Sequence, residues 1–189
     1  MISSFYFLHV IRKMKVNQDA IVEYTAKAQV NESFYRSNFE VNTSMTGLEA
    51  PDFLCFENQN KEELLSEMAK DRPLLIFRIV ESSCKPCYLD FLALLQTEFT
   101  GNFDVVKGFC TNMSVRELLI FKNANNITFP VYLIPEKPFG WVAEEKNAPY
   151  FFVLHPDMKI SHVYVPNKDF PDQNKKYLES VKRLLLCAN

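Results

Sequence analysis

The run Pro73-Leu74-Leu75-Ile76-Phe77-Arg78-Ile79-Val80 is apolar at every position but Arg78. It is too continuous for a half-exposed strand and suits a central strand covered on both faces. Cys84-Lys85-Pro86-Cys87 follows almost at once, and then Tyr88, Phe91, Leu92, Leu95 and Phe99 recur at helical spacing. A buried strand therefore runs through a short turn into a helix with two thiols at its N-terminus. A helix N-terminus carries roughly half a positive charge. That charge favours the thiolate, which is the nucleophile of disulfide exchange. Two intervening residues leave room to close a small disulfide, and Pro86 restricts the start of the helix. The arrangement is the one a dithiol redox site needs.

Half of a structural zinc site is the competing reading of such a pair. Zinc needs further ligands, usually a second close pair. The other cysteines, Cys55, Cys110 and Cys187, are scattered, and His9, His155 and His162 show no ligand spacing with a cysteine. No metal and no other cofactor is expected, and the strand–turn–helix context favours the redox reading. Cys55 and Cys110 lie in apolar, strand-like stretches and read as buried thiols. Cys187 falls at the C-terminal end of a helical pattern.

A chain of 189 residues suits one domain with an N-terminal arm. Seventeen Phe against four Gly point to a dense interior with few tight glycine turns. The net charge of −2 gives no reason to expect nucleic acid. Residues 2–11 are apolar but too short to span a bilayer. Arg12, Lys13 and Lys15 follow them, whereas a signal peptide places its charges first. Two readings fit: a membrane anchor or export signal whose start is missing, or a terminal element docked on the domain. Residues 16–42 suggest a loosely amphipathic helix and then an extended linker.

The main domain begins with Gly47-Leu48-Glu49-Ala50-Pro51-Asp52-Phe53. A short strand is expected at residues 53–56, and a helix over 61–70 with Leu64, Leu65 and Met68 on one face. Gly101 stops the cysteine helix as a glycine cap. A strand is expected at 103–109, and Ser114 with Glu117 forms a capping box for the next helix. An extended segment follows at 129–134. Residues 150–154 and 159–165 flank His155-Pro156-Asp157-Met158, which reads as a hairpin with Pro156 at the second turn position. A final amphipathic helix carries Tyr177, Val181, Leu184 and Leu185.

This order, with Cys84-Lys85-Pro86-Cys87 at the first central strand–helix junction, resembles the thioredoxin fold. More narrowly it resembles the branch of alkyl-hydroperoxide-reductase-like proteins and membrane-anchored thiol–disulfide oxidoreductases of the bacterial envelope. Three stretches carry the likeness: residues 47–53, the strand with its cysteine pair, and residues 148–160, Ala148-Pro149 through Ile160. The resemblance implies a three-layer α/β/α sandwich with a central mixed sheet over 47–189, and an N-terminal extension over 1–46. It implies Cys84 as attacking thiolate and Cys87 as resolving thiol. Pro149 would be the family's cis-proline, placed against the cysteines, and Ala148 would offer backbone groups to a substrate chain. Pro130 resembles a different proline of the branch.

Several positions depart from the family pattern. Ser82 and Ser83 precede the first cysteine where these reductases carry Trp. Arg78 stands six residues before Cys84, where thioredoxins often hold a buried acid. An arginine cannot act as a base, but its charge, with that of Lys85, would favour the thiolate, against the opposing Glu81. His155 and Met158 replace the usual Asp and Gly of the hairpin. The expected function is thiol–disulfide exchange with protein substrates in the cell envelope or periplasm, fed by a membrane electron donor, with a cytoplasmic site as the alternative. A redox-inert or redox-sensing binding module on the same fold is the second class. A peroxidase is a weaker third reading, because Ser82 or Ser83 only loosely replaces the Thr that such enzymes need.

Overall fold

The computed structural model describes residues 2–58, 61–79, 85–136, 138–145 and 149–187. The chain divides into two compact units, Met1–Glu40 and Val41–Asn189. Helix α1 runs over Ile2–Met45. Within the first unit its exposed surface carries ion pairs at i,i+4 spacing, Glu23–Lys27 and Glu32–Arg36, both 2.9 Å. No extended linker precedes Thr46, contrary to the pattern of residues 16–42. Val41 and Met45 are buried in the core of the second unit, and that packing carries the helix through its last turn. Among the described residues no helix is long and apolar enough to cross a membrane.

Seven strands make one mixed sheet in the order β2-β1-β5-β4-β3-β6-β7. They are β1 (Leu54–Asn58), β2 (Lys61–Leu64), β3 (Leu74–Ile79), β4 (Val106–Cys110), β5 (Val131–Leu133), β6 (Tyr150–Leu154) and β7 (Ile160–Tyr164). β3, β4 and β5 are parallel neighbours, and the remaining pairs are antiparallel. Helices α2 (Leu65–Ala69), α3 (Lys85–Glu98), α4 (Val115–Ala124), α5 (Val142–Glu145) and α6 (Pro171–Cys187) complete the second unit. One face of the sheet packs on the end of α1, α2 and α5, through Met45, Leu65 and Ala143. The other packs on α3, α4 and α6, through Leu95, Leu118 and Val181. This is the three-layer α/β/α sandwich expected from the sequence.

β3 is interior and buried at all six residues, as its apolar run requires. Leu75, Phe77 and Ile79 face α3, while Leu74 and Ile76 face the opposite core. The α3 stripe is likewise buried at Phe91, Leu92, Leu95 and Phe99. Gly101 follows α3 with φ +81°, a left-handed conformation that glycine adopts without steric cost. Gly108 of β4 is closely packed, since a Cβ there would meet Val131 Cγ2 at 3.0 Å and the Val131 and Phe129 side chains would have to shift.

Two element assignments differ from the sequence pattern. Residues 61–64 are strand rather than helix, with only Leu65–Ala69 helical. The Lys-Glu-Glu-Leu stretch suits a helix locally, but antiparallel pairing with β1 overrides that preference. Residues 103–105 form a 3-10 turn, and the strand begins only at Val106.

The hairpin of β6 and β7 forms as expected. The Met158 N–H donates to the His155 carbonyl (2.9 Å), and Met158 adopts φ +62°, the position where the family pattern has Gly. On its outer side β7 is bonded by the last turn of α1 and the chain that follows it. Gly47 N–H donates to the Ile160 carbonyl (2.8 Å), Ile160 N–H to the Leu48 carbonyl (3.0 Å), and Val163 N–H to Asn42 Oδ1 (2.9 Å).

The α4 capping box is complete. Glu117 N–H donates to Ser114 Oγ (3.2 Å), and Ser114 N–H donates to the Glu117 carboxylate (2.7 Å). These bonds hold the Glu117 carboxyl below its ordinary range. Ser114→Ala is expected to cost about 1 kcal/mol of stability, read as a lower urea midpoint at unchanged slope. A midpoint equal to the native one would show that the cap contributes nothing.

Candidate functional site

β3 ends at Ile79 and α3 begins at Lys85, so Cys87 lies in the first turn of α3 and Cys84 immediately precedes it. Pro86 occupies the second helical position, where the missing N–H breaks no bond. The first-turn N–H groups of α3 have no intrahelical partner, which makes this end of the helix favourable to negative charge. Cys84 itself, Glu81, Ser82 and Ser83 lie outside the described residues, as does Ala148.

Pro149 is buried and leads directly into β6. Tyr150 pairs with Arg78 across the antiparallel β3–β6 ladder, so Pro149 lies one residue beyond that pair, toward the end of β3. Arg78 and Pro149 thus lie at the end of the sheet where β3 ends. No cis peptide bond occurs among the described residues; the bond between Ala148 and Pro149 is not one of them.

Arg78 is buried, and its charge is matched by a carboxylate. Its Nε donates to Glu144 Oε1 (3.2 Å), its Nη1 to the Ile79 carbonyl (2.6 Å) and its Nη2 to Thr111 Oγ1 (3.1 Å). Arg78 and Glu144 make the one buried ion pair among the described residues. Glu144 comes from α5 and is only 6% exposed. Its Oε2 and the Tyr150 hydroxyl are both buried without a hydrogen-bond partner. The two groups are neighbours but do not reach hydrogen-bond geometry. Burial and then the Glu144 carboxylate push the Tyr150 phenol well above its ordinary range, so it stays protonated.

Sequence reading identified Arg78 but not Glu144, which lies 66 positions further along the chain. The usable signal was an arginine inside an apolar run, because a buried charge requires a partner.

Cys55 is buried, and its thiol is pushed up to about 12 by burial first and by Glu63 and Asp52 next. It stays a thiol at neutral pH and is unreactive. Cys110 is also buried. Among the described residues no group of three or more His, Cys, Asp or Glu side chains could hold a metal ion. A second polar cluster lies on the hairpin. Ser161 Oγ is 2.7 Å from His155 Nε2 and 2.8 Å from His162 Nδ1. The ring of His162 is reached because its backbone turns to φ +52° at a register shift between β6 and β7.

No family model and no curated protein matches the chain. Solved structures do. A thiol:disulfide interchange protein from Bacteroides sp. superposes with TM-score 0.53 at 14% identity, over 77% of this chain and 98% of that one. Peroxidoxin BcpB from Mycobacterium tuberculosis superposes with TM-score 0.51 at 16% identity, over 72% and 97%. The mitochondrial 2-Cys peroxiredoxin from Plasmodium falciparum gives 0.50 at 15% identity, over 74% and 95%. At such identities the likeness speaks of architecture, and one architecture hosts several chemistries. The mixed sheet, the two helical layers and the helix that follows β3 in the chain together define a thioredoxin-like fold.

Proposed function

We propose that this chain is a thiol–disulfide oxidoreductase that exchanges a Cys84–Cys87 dithiol or disulfide with protein substrates. The observation that carries the reading is the start of α3 at Lys85, six positions past the end of the buried central strand at Ile79, with Cys87 in its first turn. The fold likeness to a protein named for thiol:disulfide interchange supports it. In the reducing direction the Cys84 thiolate attacks a substrate disulfide, forming a mixed disulfide and releasing one substrate thiolate. Cys87 then displaces the second substrate sulfur. The substrate gains two electrons, and Cys84–Cys87 is left as the disulfide. Ala148 and Pro149 are the proposed contact for the substrate backbone, and Lys85 and Pro86 shape the cysteine turn. The branch resemblance supports a place in the cell envelope, with a membrane donor returning the electrons and an anchor at the N-terminus.

A redox-inert binding module remains the second reading. The pairing of Arg78 with Glu144 favours it, because one of the charges offered to the thiolate is already balanced. The Cys84–Cys87 couple, titrated in glutathione or dithiothreitol buffers against Cys84→Ser, separates the two. A two-electron transition within about −270 to −120 mV is expected, the range of catalytic dithiols. A transition that is absent, or indifferent to Cys84→Ser, would leave only the binding module. Cys87→Ser is expected to accumulate mixed disulfides with substrate proteins.

A further inference from the structure

The buried ion pair lies where β3 hands the chain to the cysteine segment. Arg78 is the next-to-last residue of β3, and its Nη1 bond to the Ile79 carbonyl turns the guanidinium toward the strand's end. Thr111 follows the last residue of β4, Tyr150 opens β6, and Glu144 reaches in from α5. The groups facing one another are one cation, one carboxylate, a hydroxyl and a protonated phenol, so the buried net charge is zero.

Cys84 follows Arg78 by six residues. Six residues span at most about 20 Å between Cα atoms. At a charge separation of about 20 Å and an effective dielectric of about 20, one uncompensated charge changes an ionisation constant about fourfold, less at a longer distance and more at a shorter one. The sign is fixed: a positive charge favours the thiolate and stabilises the reduced pair.

We propose that Glu144 is a positioning residue for the dithiol, acting through Arg78. By pairing with that guanidinium it cancels a buried positive charge that would otherwise stabilise the Cys84 thiolate, and it keeps the couple from becoming a stronger oxidant. The inference rests on the dithiol reading above and adds to it the residue that sets how oxidising the pair is.

The test is Glu144→Gln in the full chain. The ionisation of Cys84 is followed by thiolate absorbance as the difference from Cys84→Ser protein. The equilibrium, protein dithiol plus glutathione disulfide giving protein disulfide plus two glutathione, is measured in parallel. Glu144→Gln is expected to ionise at Cys84 about half a pH unit below native and to shift the equilibrium toward the dithiol. Glu144→Asp, which keeps the carboxylate, is expected to return both toward native. If the glutamine variant does not fold, Glu144→Ala serves, since it leaves room for water beside the guanidinium and uncovers the same charge.

A variant that loses stability while Cys84 ionises as in the native chain would overturn the inference and make Glu144 structural only. A native chain with no reversible dithiol–disulfide transition would instead overturn the dithiol reading itself.

Discussion

Replacing Arg78 by methionine is expected to remove about 3–5 kcal/mol of folding stability, the usual cost of breaking a buried ion pair from one side. The native pair itself is only weakly stabilising, because desolvation of two charges offsets most of their attraction. The loss comes from what is left behind. Glu144 would keep a carboxylate with both oxygens buried, and the Ile79 carbonyl and Thr111 hydroxyl would each lose a donor. Domains of this kind are stable by about 5–15 kcal/mol in total, so the variant would approach the threshold of folding. Urea denaturation reads the loss as a lower midpoint. The double variant Arg78→Met, Glu144→Leu is expected to regain most of it, because no polar group is then stranded. A single-variant loss below about 1 kcal/mol would mean that water reaches Glu144, and the account of a sealed ion pair would be wrong.

The second large effect is expected on the other face of the same strand. Phe77 is fully buried between β3 and α3 and stacks on Phe151 of β6, with ring centroids 4.4 Å apart and planes inclined by 19°. Phe77→Ala is expected to cost about 3–5 kcal/mol, from lost burial and from the cavity left in a layer that relaxes only in part. Phe77→Leu keeps most of the volume and should cost clearly less. Because Phe77 belongs to the core that seats Phe91, Leu92 and Leu95, the alanine variant should also speed amide exchange in α3. Equal losses for the alanine and leucine variants would show that volume under α3 does not matter.

Much of this architecture was legible in the sequence wherever one local signal sufficed. The continuous apolar run could only be an interior strand, Ser114 and Glu117 announced a helix start, and the 150–165 hairpin was marked by its turn residues. Reading failed where distant partners decided. Lys61-Glu62-Glu63-Leu64 carries helix-favouring residues and becomes a strand only by pairing with β1. The last turn of α1 persists because Val41 and Met45 find a core that no local pattern shows. The partner of Arg78 was invisible for the same reason. Nothing near Glu144 in the sequence distinguishes it from Glu145, which is exposed.

The bonds from Asn42, Gly47 and Leu48 to β7 have a consequence for how copies of this protein behave at high concentration. A bare outer strand is a template on which another chain can stack its own backbone, the first step toward fibrils and sticky oligomers. Here residues 42–48 act as a sheath over one margin of the sheet, and the opposite margin, β2, carries Lys61, Glu62 and Glu63, whose charges repel an incoming strand. A protease cut just after α1 would loosen that sheath without touching the cysteine pair. The expected failure of a nicked molecule is therefore loss of colloidal stability before loss of chemistry.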